Sequence, residues 1–93
     1  MRRLLLRSNT FVRAARRATK QNPALAGQIQ TTLDRLAADA FQPALKTQRL
    51  KGQLTGSLAC SAGYDLRILF KIVSYQGIEA ILLETIGSHD EVY

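Results

Sequence analysis

The residues of this 93-residue chain that could do chemistry gather towards its C-terminal end. His89, the one histidine, follows Gly87-Ser88 at the close of a β-rich run, and the chain finishes at Tyr93. Imidazole titrates near neutrality and is the side chain best suited to give and take a proton. A terminal tyrosine can stack on an exposed nucleobase or donate its hydroxyl. Arg67 lies on a central strand with Asp65 two residues earlier on the same face. A guanidinium held by a carboxylate can clamp a phosphate or stabilise its pentacoordinate transition state. Each of these has a plainer alternative: His89 as a surface residue beside Asp90 and Glu91, Tyr93 packed on a sheet edge, Arg67 in a cross-strand ion pair. Cys60 reads as a small hydrophobe with no base beside it, and no nucleophilic role is assigned to it. One cysteine and one histidine make neither a disulfide nor a structural zinc site. Gly52 and Gly56 are too loosely spaced for a phosphate-cradling loop, so neither metal nor small-molecule cofactor is expected.

Charge carries a second signal. The net charge of +6 is divided unevenly. Residues 1–54 hold eleven of the thirteen basic residues against Asp34 and Asp39 alone, a balance of +9, whereas residues 55–93 stand at −3. With a pI near 10.1, this asymmetry points to a polyanionic partner, nucleic acid or an acidic protein. Arg13, Arg16, Arg17 and Lys20 fall on one helical face. No acid between residues 8 and 33 offers them an i,i+4 partner, so the face repels itself unless an anion relieves it.

Other classes are excluded by composition. With 46% hydrophobic and 22% charged residues the chain is ordinary globular material. No apolar run nears the roughly 20 residues that cross a bilayer. The opening Met1-Arg2-Arg3-Leu4-Leu5-Leu6-Arg7 imitates a signal peptide, but three leucines fall short of the about 7–15 required. A single cytoplasmic domain spanning residues 1–93, away from membranes, is expected.

The elements that must position these residues follow from periodicity. Leu4-Leu5-Leu6 reads as a short strand, with Ser8 or Asn9 free to cap a helix. Phe11, Ala14, Ala15 and Ala18 recur at helical spacing over 10–20. After Gln21-Asn22-Pro23, Leu25, Ile29, Leu33, Leu36 and Ala40 give a second amphipathic helix, with Pro23 in its first turn. Residues 44–56, polar and basic, read as a connector. Strands follow at 58–62, at 66–73 and at 78–86, with Gly63-Tyr64 a turn or bulge and residues 74–77 a hairpin loop. The order β-α-α-β-β-β predicts an α+β fold: an antiparallel sheet with an N-terminal helical hairpin packed on one face.

Three stretches taken in order, Leu50-Lys51-Gly52, Gly63 to Ile72 and Ile86 to Tyr93, resemble the RelE/ParE superfamily of bacterial toxins, closest to its YafQ-like and RelE/StbE-type mRNA interferase branches. The resemblance implies a RelE-like fold and the toxin of a type II toxin-antitoxin system. Such a toxin is a ribosome-dependent endoribonuclease that cuts translated mRNA by metal-independent attack of the 2′-hydroxyl. Its partners would be a cognate antitoxin, the ribosome and mRNA. It also implies roles. His89 matches the C-terminal catalytic histidine of YafQ-like toxins and Asp65 their aspartate. Arg67 matches the central-strand arginine of RelE-like toxins, and Tyr93 the terminal aromatic of both. Arg13, Arg16, Arg17, Lys20, Lys46, Arg49 and Lys51 would hold RNA. The pattern is departed from where YafQ-like toxins carry two further histidines, an arginine and a tryptophan; here these positions are Gln48, Ser61, Thr85 and Leu66. One histidine is left to share acid and base duties, and Arg67, Lys51 or the substrate itself would have to cover the missing roles. The alternative within the superfamily is a non-enzymatic ParE-like gyrase inhibitor, or a degenerate toxin that only binds its antitoxin. ParE-like chains generally lack the histidine seen at position 89.

The basic helix generates a first prediction. Changing Arg13 and Arg17 to glutamine weakens ribosome association and flattens its salt dependence, by about 0.7 in log–log slope per lost phosphate contact. Ribosome co-sedimentation across a salt series checks this, and an unaltered slope rejects the helix as an RNA contact.

Overall fold

The computed structural model describes residues 2–52, 56–63 and 65–92. The strand β1 (Leu4–Arg7) leads into the helices α1 (Asn9–Gln21) and α2 (Leu25–Ala38). A 3-10 turn at Pro43–Leu45 precedes β2 (Gln48–Arg49), β3 (Leu58–Ser61), β4 (Arg67–Tyr75) and β5 (Ile78–Gly87), and one helical turn, α3 (His89–Val92), closes the chain. The sheet order is β1-β5-β4-β3-β2.

The α+β architecture with a helical hairpin on one sheet face is as the periodicity predicts. The ladders joining β2 to β3, β3 to β4 and β4 to β5 are antiparallel, while β1 lies parallel to β5, so the sheet is mixed. The cause is long-range. The Ser8 amide donates to the Leu83 carbonyl at 3.2 Å and carries the β1 ladder up to the N-cap of α1. The connector read at 44–56 also contains structure of its own, the 3-10 turn and the two-residue β2, too short to show a periodicity. Pro23 lies in the turn before α2 rather than in its first turn, and α2 stops at Ala38, so Ala40 is buried from the loop instead.

One core holds the layers together. Phe11 from α1 and Ile29, Leu33 and Leu36 from α2 meet Cys60, Ile68, Phe70, Ile81, Leu83 and Ile86 from the sheet. Phe70, Leu36, Ile68, Ile81 and Leu83 are fully buried, each worth about 1.5–3 kcal/mol relative to exposure. Cys60 is sealed in the same layer, where burial pushes its thiol up to about 12 and keeps it unreactive. The hairpin loop between β4 and β5 is only Gln76-Gly77, both at positive φ (51° and 79°), the two-residue turn whose twist suits long strands.

A register shift interrupts the β4–β5 ladder. Leu69 pairs with Thr85 and Phe70 with Leu83, leaving Glu84 as an extra residue. Alternation along β5 therefore changes parity. Ile81 and Leu83 face the helices, and after the bulge Ile86 does so in place of Thr85. Ser8 makes three hydrogen bonds here, two of them to this point of β5. Its hydroxyl accepts from the Phe11 amide as the N-cap of α1 (3.0 Å) and donates to the Glu84 carbonyl (3.0 Å), beside the amide bond to Leu83. Ser8→Ala removes both the cap and the partner of the bulge carbonyl. It should lower stability by about 1–2 kcal/mol. Urea unfolding checks this, with an unchanged m-value showing that the fold itself is retained.

Candidate active site

Past the bulge, β5 delivers its last residues to one end of the sheet. Gly87 is buried and pairs with Arg67 across the ladder, so His89 stands two residues beyond the strand partner of Arg67. The chain then folds back at once into α3. Gly87 makes this possible, because a Cβ there would stand 3.1 Å from Glu91 Cβ and 3.2 Å from Val92 Cγ1.

Ser88 and Glu91 form a reciprocal cap on this turn. The Ser88 amide donates to Glu91 Oε1 at 2.8 Å, and the Glu91 amide donates to Ser88 Oγ at 3.3 Å. His89 is thereby the first residue of a helical turn whose start is pinned. Its own amide donates to Asp65 Oδ1 at 3.3 Å, and its Nδ1 lies 3.7 Å from Asp90 Oδ1. The ring is 61% exposed, so a substrate can reach it without a backbone rearrangement. Among the described residues no cluster of histidine, cysteine or carboxylate side chains could hold a metal ion.

Asp65 thus reaches His89 through the backbone. The expected carboxylate–guanidinium pair between Asp65 and Arg67 is not formed among the described residues. Asp65 precedes β4 and faces a 410 Å³ groove shared with Arg17 of α1, Ser88 and Glu91. Arg67 Nη1 instead donates to Ser61 Oγ at 3.5 Å and to the Leu66 carbonyl at 3.2 Å, and it lines a second cleft of 750 Å³ with Arg35 and Lys46. The physical reason is pleating: a two-residue offset keeps a common face only inside a strand, and β4 begins at Arg67 itself. Gln28 of α2 lines both cavities, and a Cβ on Gly63 would stand 2.6 Å from its Oε1, so the bend before Asp65 is pressed against that side chain.

The remaining basic candidates are on the surface. Arg13, Arg16, Arg17 and Lys20 are exposed along α1; Lys46 is exposed at the end of the 3-10 turn, Arg49 on β2 and Lys51 just beyond it. Tyr93 lies outside the described residues. Two groups escaped the sequence reading. The Ser88-x-x-Glu91 cap has a local signal, a serine followed three residues later by a glutamate. Arg35 of α2 carried no local signal, since only tertiary packing brings it beside Arg67.

No family model matches this sequence, and no curated protein matches it at the sequence level. Solved structures do match. The fold is that of the RelE/ParE toxins, in agreement with the resemblance carried by the 63–72 and 86–93 stretches. A chain of the E. coli DinJ–YafQ toxin-antitoxin complex superposes with a TM-score of 0.77 at 14% identity, covering 100% of this chain and 99% of that one. The YoeB/ParE toxin from Agrobacterium tumefaciens gives 0.76 at 12% identity, covering 92% and 98%. The toxin-antitoxin complex RelBE2 from Mycobacterium tuberculosis gives 0.74 at 12% identity, covering 96% and 100%. At such identities the likeness is one of fold. No helix among the described residues is long and apolar enough to cross a membrane.

The cap makes the site sensitive to acid. The Ser88 amide, then the Ser88 hydroxyl and the more distant Arg17 charge hold the Glu91 carboxyl below its usual 4.5. A group depressed in the folded state supports that state fully above its unfolded value, and the support fades as pH falls through the folded value. The Ser88 and His89 amide signals in NMR should therefore shift together below about pH 4.5 as the turn loosens. Glu91→Gln should abolish that titration, and its persistence in the variant would assign the transition to another group.

Proposed function

We propose that this chain is the toxin of a type II toxin-antitoxin system and a ribosome-dependent endoribonuclease that cleaves mRNA during translation. The observation that carries the reading is the pinned terminal turn. A single exposed histidine sits on a capped backbone, anchored by Asp65, at one end of a sheet of the RelE/ParE type. The solved neighbours named as toxin-antitoxin complexes support a cognate antitoxin as partner.

The chemistry follows from these groups. His89 takes the proton of a ribose 2′-hydroxyl as its oxygen attacks the adjacent phosphorus, and the bond from phosphorus to the 5′-oxygen breaks. The leaving oxygen takes up a proton from water and His89 releases the one it took to solvent, leaving a 2′,3′-cyclic phosphate and a free 5′-hydroxyl. Asp65 is a positioning residue that fixes the His89 backbone. Arg67, on the other side of the Gly63 bend, supplies positive charge to a neighbouring phosphate of the same strand and so holds the RNA for attack. Tyr93 stacks on or positions a nucleotide of the codon. Arg13, Arg16, Arg17, Lys20, Arg49 and Lys51 add salt-dependent affinity for RNA without touching the reacting bond.

His89→Ala should relieve growth arrest on expression and reduce cleavage of translated messages by about 10²–10⁴-fold, the usual worth of a general acid–base. It should leave antitoxin binding and the circular dichroism spectrum unchanged. Primer extension on messages from expressing cells is the measurement. Continued in-frame cleavage by the variant would remove His89 from the mechanism, and intact messages with gyrase trapped on DNA in the parent strain would make the chain a gyrase inhibitor.

A further inference from the structure

The second cleft has a chemistry of its own. It opens between α2 and the β3–β4 side of the sheet, and three cations from three elements converge on it: Arg35 from α2, Lys46 from the end of the 3-10 turn and Arg67 from the start of β4. Among the described residues no acidic side chain lines it, and none of the three joins an ion pair. Some cations elsewhere are paired, Arg3 with Glu79 at 2.7 Å and Lys71 with Glu84 at 3.6 Å. Three like charges left together in one concavity repel one another and focus a positive potential into it.

The rest of the lining says which anion fits. Among the described residues its non-polar part comes from glycine and alanine (Gly27, Ala44, Ala62, Gly63), and the hydroxyl residues Thr31, Thr32 and Ser61 stand beside them. An acidic helix of a partner protein needs large apolar side chains to seat its own. Those lie in a different groove, between α1 and α2, where Phe11, Val12, Ile29 and Leu33 are gathered. A phosphodiester needs cations and hydroxyl donors, which this cleft supplies.

We propose that the Arg35–Lys46–Arg67 cleft binds backbone phosphates of single-stranded RNA next to the His89 turn, with Arg35 as a substrate-binding residue. The placement rests on the nuclease reading; the binding itself does not. Gln28 lines both cavities and presses on the bend that precedes Asp65, so a strand leaving this cleft over Gln28 arrives at the groove where Asp65 holds the His89 amide. A strand seated in this way has its phosphates held on one side of the bend while its 2′-hydroxyl is worked on at the other.

The test uses the full chain and a fluorescent twelve-nucleotide RNA whose 2′-hydroxyls are methylated, so that it cannot be cut. Anisotropy is read across a salt series. Arg35→Gln with Lys46→Gln should lower the magnitude of the log–log salt slope by about 1.4, two contacts at about 0.7 each, and weaken low-salt binding on the order of tenfold. The control is Arg2→Gln with Arg7→Gln, which removes the same charge from residues that do not line the cleft and should move the slope much less. Arg35→Lys should restore part of the affinity, because charge is kept and only the forked geometry is lost. An equal slope change in both double variants, or no binding of this RNA by the parent, overturns the cleft as a phosphate site. So does a loss of antitoxin affinity with the RNA slope unchanged, which would make it a protein-docking surface. The nuclease reading fails separately: if His89→Ala still arrests growth while the Arg35 and Lys46 variant loses RNA, the cleft stands without it.

Discussion

The extra residue in β5 is the constraint on which the rest of this molecule depends. Strand side chains alternate with a strict period of two, so one inserted residue turns every later side chain to the opposite face. Glu84 is that residue. With it, Ile86 joins Ile81 and Leu83 against the helices, and the chain leaves β5 at Gly87 in the orientation that folds back to place His89 beside Asp65. A bulge disturbs its own ladder, and here the disturbed groups are satisfied. Ser8 donates to the Glu84 carbonyl, while the Glu84 carboxylate accepts from the Ser57 hydroxyl at 2.7 Å and pairs with Lys71. The start of α1, the outer sheet face and the terminal turn therefore share a single junction.

Electrostatics divides the cations into two groups. The acidic residues of the second half are placed where they hold structure: Glu79 against Arg3 and Glu84 against Lys71. Glu91 caps α3 and stands near enough to Arg17 for that charge to favour its ionised form. What remains positive is concentrated on the exposed face of α1 and in the cleft of Arg35, Lys46 and Arg67. Neutralising those groups internally would stabilise the free protein and remove its attraction for a polyanion, so the lack of ion pairs at these groups among the described residues fits a ligand that carries its own charge.

The site is built as two compartments rather than one cluster. Asp65 and the His89 amide are joined on one side of the bend at Gly63, and Arg67 faces the other. Such a separation suits an extended substrate better than a compact one. A chain-like anion can meet a cation at one phosphate and a proton acceptor at the next, whereas a small molecule would fill a single compartment.

Much of this was written locally. The two amphipathic helices, the β-rich run through Ile68 and Phe70, and the glycine that ends β5 were legible because each follows from spacing within a few residues. The charge asymmetry and the isolation of His89 near the C-terminus required no fold at all. The structure alone decided the features that depend on residues far apart in sequence. The parallel placement of β1 rests on Ser8 meeting Leu83, and the parity change on Glu84 falling between two strand pairs. The parting of Asp65 from Arg67 rests on where β4 begins, and the convergence of Arg35 with Lys46 and Arg67 on how α2 lies over the sheet. Periodicity states which face of an element is apolar. It carries no information on which polar residue of one element will stand beside which of another, because that is set by strand register and helix packing, and both are fixed only when the core closes.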